Sequence, residues 1–223
     1  LGQAYVRMRV AGLKSQRFVF DSGATGVTIS PRIAARAKLE SIRPFTITGT
    51  GARRTEMGDL VVLPEIALGA AGDSGEPIVI RNVPATVRDP AGPEEGLIGP
   101  SVLSAFDITV DMKKRRLRIE APADARPGRS EPFRNIGGQI MIAARLNGLS
   151  FNAMVDTGAA STIVGKTALR RVPSLVAVPT SLLEGSTLGV GGALAERKRI
   201  LKGSLSFADR DYTAAGLLSG DLS

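Results

Sequence analysis

The apolar positions of this chain fall into short runs broken by Gly, Asn, Pro and charged residues, and the runs return in the same order further along. Tyr5-Val6-Arg7-Met8-Arg9-Val10 alternates in the manner of a strand with one buried face. A turn at Ala11-Gly12-Leu13 and a second apolar run ending in Phe18-Val19-Phe20 complete the pattern of a β-hairpin. Later, Ile140-Met141-Ile142-Ala143-Ala144-Arg145-Leu146, a turn at Asn147-Gly148-Leu149 and a run ending in Ala153-Met154-Val155 repeat it. Each second run passes directly into the same four-residue motif, Asp21-Ser22-Gly23-Ala24 and Asp156-Thr157-Gly158-Ala159, with the aspartates 135 positions apart. An isolated Asp-Ser/Thr-Gly is a turn signal, because all three residue types favour turns. Two copies behind matching hairpins instead place two carboxylates at strand ends inside the fold. Beyond each motif, Val27-Thr28-Ile29 leads into a helical stretch over residues 31–38 with Pro31 suited to the first turn, and Thr162-Ile163-Val164 leads into a second over residues 166–171. The chain therefore reads as an internal duplication: a first lobe over 1–121, a linker over 122–135 and a second lobe over 136–223.

Between these landmarks the pattern is mainly β. Residues 42–68 form two apolar segments around the Gly-rich Thr48-Gly49-Thr50-Gly51-Ala52-Arg53-Arg54, a hairpin tip echoed by Leu188-Gly189-Val190-Gly191-Gly192-Ala193. A Gly-rich loop over 70–77 precedes two strands, Ile78-Val79-Ile80 and Val83-Pro84-Ala85-Thr86-Val87. A surface loop over 89–95 follows, then Gly96-Leu97-Ile98-Gly99, a short helix over 101–105 and a hairpin over 108–119 with Lys113-Lys114-Arg115-Arg116 at its turn. Residues 172–179 read as a proline-bounded connection to apolar segments around Leu182 and Leu205.

Composition narrows the chemistry. With 223 residues, 43% hydrophobic and 22% charged, the chain can bury one substantial core or two small ones. It contains no His and no Cys, which removes a Ser-His-Asp triad, a thiol nucleophile and an ordinary zinc site, so no metal or other cofactor is expected. Gly72-Asp73-Ser74-Gly75 resembles a serine-protease nucleophile loop but has no histidine base, and carries no catalytic weight. Carboxylates remain as the acid and base. The net charge of +8 comes from basic residues gathered at turns, and with two Tyr and no Trp the chain lacks the aromatic platform of a nucleic-acid site. No apolar stretch is long enough to span a membrane. The chain opens at Leu1 without Met, as a processed form or an excised domain would, and absence of cysteine suits an exported or a cytoplasmic setting alike. Export to a periplasmic or extracellular compartment after processing is one expectation.

The paired motifs resemble those of aspartic proteases: two lobes in one chain as in pepsins, with Asp-Ser/Thr-Gly-Ala motifs closer to those of retropepsins. The resemblance implies a bilobal β fold, a peptide or protein substrate, and Asp21 and Asp156 as the catalytic pair, with no indication of which acts first as base. It implies that the hydroxyls of Ser22 and Thr157 brace the two loops against each other, and that Gly23 and Gly158 allow close backbone approach. It makes Gly49, Thr50, Gly51 and Ala52 a flap over substrate, with Gly189, Val190, Gly191 and Gly192 its echo; ordinary Gly-rich turns are the other reading of both. In the family an apolar-apolar-Gly element lies beside each aspartate loop. Leu97-Ile98-Gly99 supplies it in the first lobe, and Leu217-Leu218-Ser219 is expected to supply it in the second, with Ser219 in place of glycine. Ala24 and Ala159 stand where pepsins carry Ser or Thr, which implies a dyad titrating above strong acid. A counterpart of residues 106–120 is missing from the second lobe. Either the native chain continues or another segment covers that edge, from the N-terminus or from a second copy in a homodimer. The rival reading is a pseudoprotease that binds a peptide or partner and cuts nothing; it need not retain both aspartates, both hydroxyls and both glycines.

Overall fold

The computed structural model describes residues 3–48, 55–69, 76–89, 93–114, 116–124, 130–189 and 192–220. The fold is mainly β. In the first half, β1 (Tyr5–Val10) and β2 (Gln16–Phe20) form the expected hairpin, followed by β3 (Val27–Ile29), α1 (Pro31–Arg36), β4 (Arg43–Thr48), β5 (Thr55–Leu68) and β6 (Ile78–Val87). Then come β7 (Gly96–Ile98), α2 (Pro100–Leu103), β8 (Asp107–Asp111) and β9 (Arg116–Glu120). The second half contains β10 (Phe133–Ile136), β11 (Gln139–Leu146), β12 (Leu149–Met154), β13 (Ile163–Gly165), α3 (Lys166–Arg171), β14 (Val176–Gly189), β15 (Gly192–Phe207) and β16 (Arg210–Gly220).

The first sheet runs β1-β2-β7-β3-β6-β5-β4, and β1 also pairs with β5, so six strands close a barrel and β4 extends from its rim. Its interior is filled by Met8, Val10, Phe18, Ile29, Ile33, Leu63, Ile66 and Ile98, all fully buried. The alternation in β1 is the cause: Val6, Met8 and Val10 point inward while Tyr5, Arg7 and Arg9 face solvent. β7 closes the ring by pairing parallel with β2, Val19 opposite Leu97, and antiparallel with β3, Val27 opposite Ile98. The loop before β7 is fastened by Glu95: its carboxylate accepts from Ser30 Oγ at 2.7 Å and pairs with Arg32, while Ser30 Oγ also caps α1 through Ile33 N at 3.2 Å.

The second sheet repeats this plan up to one point. β11 pairs with β12 and β15, β14 with β15, β15 with β16, and β13 with β16. The decisive pairing is β13 with β16, which is parallel, Ile163 opposite Leu218. In the first lobe β3 pairs parallel with β6 and antiparallel with β7. The strand holding Leu217-Leu218-Ser219 is thus the counterpart of β6, correcting the expectation that it matches Leu97-Ile98-Gly99. Among the described residues no strand bridges β12 and β13, and the second barrel stands open there. The consequence is measurable at matching positions. Val19 and Phe20, beside β7, are each 5% exposed, whereas Met154 and Val155 are 39% and 36% exposed. Among the residues whose burial is described, the core of this half includes Leu146, Val164, Val172, Leu201 and Leu217.

Three local expectations change. Ile78–Val87 is one strand instead of two, since Asn82 takes a positive φ of 55° without ending it. The linker ends early, because Phe133–Ile136 forms β10 against β11. Pro179 lies within β14, where pairing slips between Ala177 and Leu182, instead of in a connection. No described helix is long and apolar enough to cross a membrane.

Candidate active site

Both aspartates stand at the ends of hairpin strands, as their apolar approaches dictate. Asp21 follows β2, and its amide donates to the Ile98 carbonyl at 3.1 Å, so β7 fixes the height at which the loop leaves the barrel. The loops then fold back on their own carboxylates. Asp21 Oδ1 accepts from the amides of Gly23 at 2.9 Å and Ala24 at 3.1 Å, and Asp156 Oδ1 from those of Gly158 at 2.8 Å and Ala159 at 3.0 Å. Each carboxyl is therefore oriented by two backbone donors, leaving its second oxygen for other work.

The lobes meet through the residue after each aspartate. Ser22 Oγ donates to the Val155 carbonyl at 2.7 Å and accepts from the Thr157 amide at 3.0 Å. Thr157 Oγ1 donates to the Phe20 carbonyl at 2.8 Å and accepts from the Ser22 amide at 3.0 Å. These four bonds form a reciprocal clasp, in which each hydroxyl uses its donor and an acceptor site on the opposite loop. Ser22 is buried.

The clasp brings the carboxyls together. A methyl built on Gly23 would lie 2.6 Å from Cγ of Asp156, and one on Gly158 would lie 2.5 Å from Cγ of Asp21. Each glycine is thus the floor on which the other loop's carboxylate rests, and a side chain there would displace it. Burial first, then the charge of Asp156, raise the Asp21 pKa from 3.8 to about 6, against the lowering effect of the Gly23 and Ala24 amides.

A cleft of about 2320 Å³ runs past Asp21 and Asp156 and is lined on one side by Phe45, Thr46, Ile47 and Thr48 of β4. It continues into the open side of the second barrel, past Phe151 and Leu217. Of the expected flap residues, Gly49, Thr50, Gly51, Ala52, Val190 and Gly191 lie outside the described residues, as does Asp73-Ser74. Their stems are described: β4 pairs with β5 up to Thr48 opposite Thr55, and β14 with β15 up to Gly189 opposite Gly192.

Two residues escaped the sequence reading. Gln3 Nε2 donates to the Gly158 carbonyl at 2.5 Å, and Gln139 Nε2 to the Gly23 carbonyl at 2.8 Å. The signal was present, since each glutamine stands nine residues ahead of its hairpin-turn glycine, Gly12 or Gly148.

Residues 6–102 match the family model described as aspartyl protease. A comparison with functionally curated proteins gives no match. Among solved structures, the chain is similar to a retropepsin-like aspartic protease from Rickettsia conorii, at 17% identity over 48% of this chain and 74% of that one, with a TM-score of 0.35. It is similar to the retroviral protease-like domain of Ddi1 from Leishmania major, at 15% identity over 56% and 97%, with a TM-score of 0.33. Conglutin gamma, a basic 7S globulin from lupine seeds, aligns at 9% identity over 99% and 83%, with a TM-score of 0.49. The family match thus covers the first lobe with its aspartate motif, and the mainly β fold agrees with it.

Proposed function

We propose that this chain is an aspartic endopeptidase in which Asp21 and Asp156 share one proton and activate a water against a peptide carbonyl. The observation that carries the reading is the reciprocal seating of each carboxyl against the other loop's glycine. Two carboxyls this close resist joint ionisation, so the pair keeps a proton that isolated aspartates would lose. The ionised member takes a proton from water as it attacks, while the protonated member donates to the substrate carbonyl oxygen. In the second half the newly protonated member gives its proton to the amine as the C–N bond breaks, while the other takes a proton from a hydroxyl of the tetrahedral intermediate, so that a carboxylic acid leaves and the pair again holds one shared proton. Burial and the charge of Asp156 raise the Asp21 pKa to about 6, so the pair holds its shared proton into the mildly acidic range. The β4 strand that walls the cleft beside the dyad favours an extended peptide, held through its backbone.

Activity is expected at mildly acidic pH and should fall as the shared proton is lost above about pH 6. Ala24→Ser, which offers the carboxylate a hydroxyl donor, should move this limb downward. A pH series of peptide cleavage, with and without pepstatin, checks both; activity still rising from pH 6 to 8 would contradict the reading.

Among the described residues the outer edges of β12 and β13 have no strand partner, and the apolar Met154 and Val155 are exposed there, a configuration that recruits a further strand. We infer that a second copy covers this edge in a homodimer. Light scattering should then give a concentration-dependent dimer with slow amide exchange over residues 149–155. A monomer at every concentration, with those amides exchanging fast, would remove the dimer.

A further inference from the structure

The glutamine bonds end on a particular part of each loop. The Gly23 carbonyl that accepts from Gln139 belongs to the same peptide plane as the Ala24 N–H, which donates to Asp21 Oδ1. The Gly158 carbonyl that accepts from Gln3 belongs to the plane of the Ala159 N–H, which donates to Asp156 Oδ1. Carbonyl and N–H point in opposite directions across a trans peptide. A donor fixed on one side therefore aims the hydrogen on the other. Gln3 lies just ahead of β1 in the first lobe and acts on the loop of the second; Gln139 begins β11 and acts on the loop of the first. The arrangement is two-fold, and it is distinct from the hydroxyl clasp, which reaches the loops through the residue before the glycine.

We propose that Gln3 and Gln139 are paired positioning residues, each fixing from its own lobe the peptide plane that directs an amide at the other lobe's aspartate. Neither touches the reacting atoms. A bonded carbonyl also polarises its peptide, which strengthens the N–H as a donor. Both effects favour the ionised carboxylate, and both report the docking of one lobe to the other at the dyad. Undocked lobes would leave both planes free to rotate.

This inference rests on the peptidase reading for its catalytic consequence but not for its physical test. Gln139→Met keeps the length and volume of the side chain and removes the donor. In the unaltered protein, the Ala24 amide resonance should follow a pH midpoint near that of Asp21, about 6. In Gln139→Met the midpoint should rise and Ala24 amide exchange should quicken, while the hairpin amides of β1 and β2 are unaffected. If peptide cleavage is measurable, kcat should fall roughly threefold to tenfold, the worth of about one hydrogen bond, with little change in KM. Should Gln139→Met not fold, Gln139→Asn, too short to reach, gives the same readout. An unchanged midpoint and unchanged Ala24 exchange in a folded variant would overturn the proposal. A raised midpoint in a protein that cleaves nothing would leave the positioning role standing and the peptidase reading defeated.

Discussion

Asparagine at either Asp21 or Asp156 should lower peptide hydrolysis by roughly a thousandfold or more, the scale of lost general acid–base catalysis. Each carboxyl supplies half of one proton-handling unit, and no other carboxyl is oriented by paired loop amides toward the same point among the described residues. Losses should not add. Once one half is gone the other has no partner, so the double variant should be no slower than either single one. Asp21→Asn should nonetheless fold, because its amide oxygen can still accept from Gly23 and Ala24. It should even gain stability at neutral pH. An acid whose pKa is higher folded than unfolded binds its proton more tightly when folded, so folding is progressively penalised as pH rises from 3.8 through about 6. Above that range the penalty is complete, on the order of 3 kcal/mol, and below pH 3.8 it vanishes. Denaturant titrations of the two proteins at pH 7 and pH 3.5 should therefore diverge at the first and converge at the second. Equal stability at both would mean that Asp21 carries no buried charge.

Gly158→Ala and Gly23→Ala should also cost most of the activity, although neither residue carries a functional group. The added methyl would sit 2.5 Å from Cγ of Asp21 in one case and 2.6 Å from Cγ of Asp156 in the other, distances that force the carboxyl away. It cannot retreat freely, since two loop amides hold it and the hydroxyl clasp fixes the loop behind it. Displacement of a reacting group by about 1 Å can cost roughly a hundredfold, and that is the loss expected in kcat. The Asp21 pKa should move back toward 3.8, because the second-largest cause of its rise is the nearby charge of Asp156. Gly158→Ala retaining more than a tenth of the activity, with an unchanged pH profile, would show that the carboxyls do not sit where the glycine floor puts them.

Local patterns in the sequence were enough to read the hairpins, the two aspartate loops and the mainly β character. Alternation in Tyr5–Val10 and the turn at Gly12 are encoded within a few residues. What depends on strand direction was not legible. Gly-Leu-Ile-Gly and Gly-Leu-Leu-Ser-Gly look alike as strings, yet the first enters its barrel between β2 and β3, while the second runs parallel to β13 as the continuation of β16. Only the register separates them. The roles of Gln3 and Gln139 were hidden for another reason. Their partners lie 155 and 116 residues away, across an interface that exists only when the lobes dock. Only their equivalent places in the two repeats, nine residues ahead of Gly12 and of Gly148, mark them in the sequence. Asn82 shows the reverse case: a turn-favouring residue that the sheet absorbs, leaving β6 in one piece.

The central claim is that the Asp21–Asp156 pair hydrolyses peptide bonds, and its most direct test is mass spectrometry of a peptide library incubated with the unaltered protein and with Asp21→Asn, purified in parallel, near pH 5. New termini should appear with the unaltered protein, be suppressed by pepstatin, and be absent with the Asn variant. The same termini appearing at the same rate with Asp21→Asn, or none appearing with the unaltered protein at any pH between 3 and 7, would contradict it.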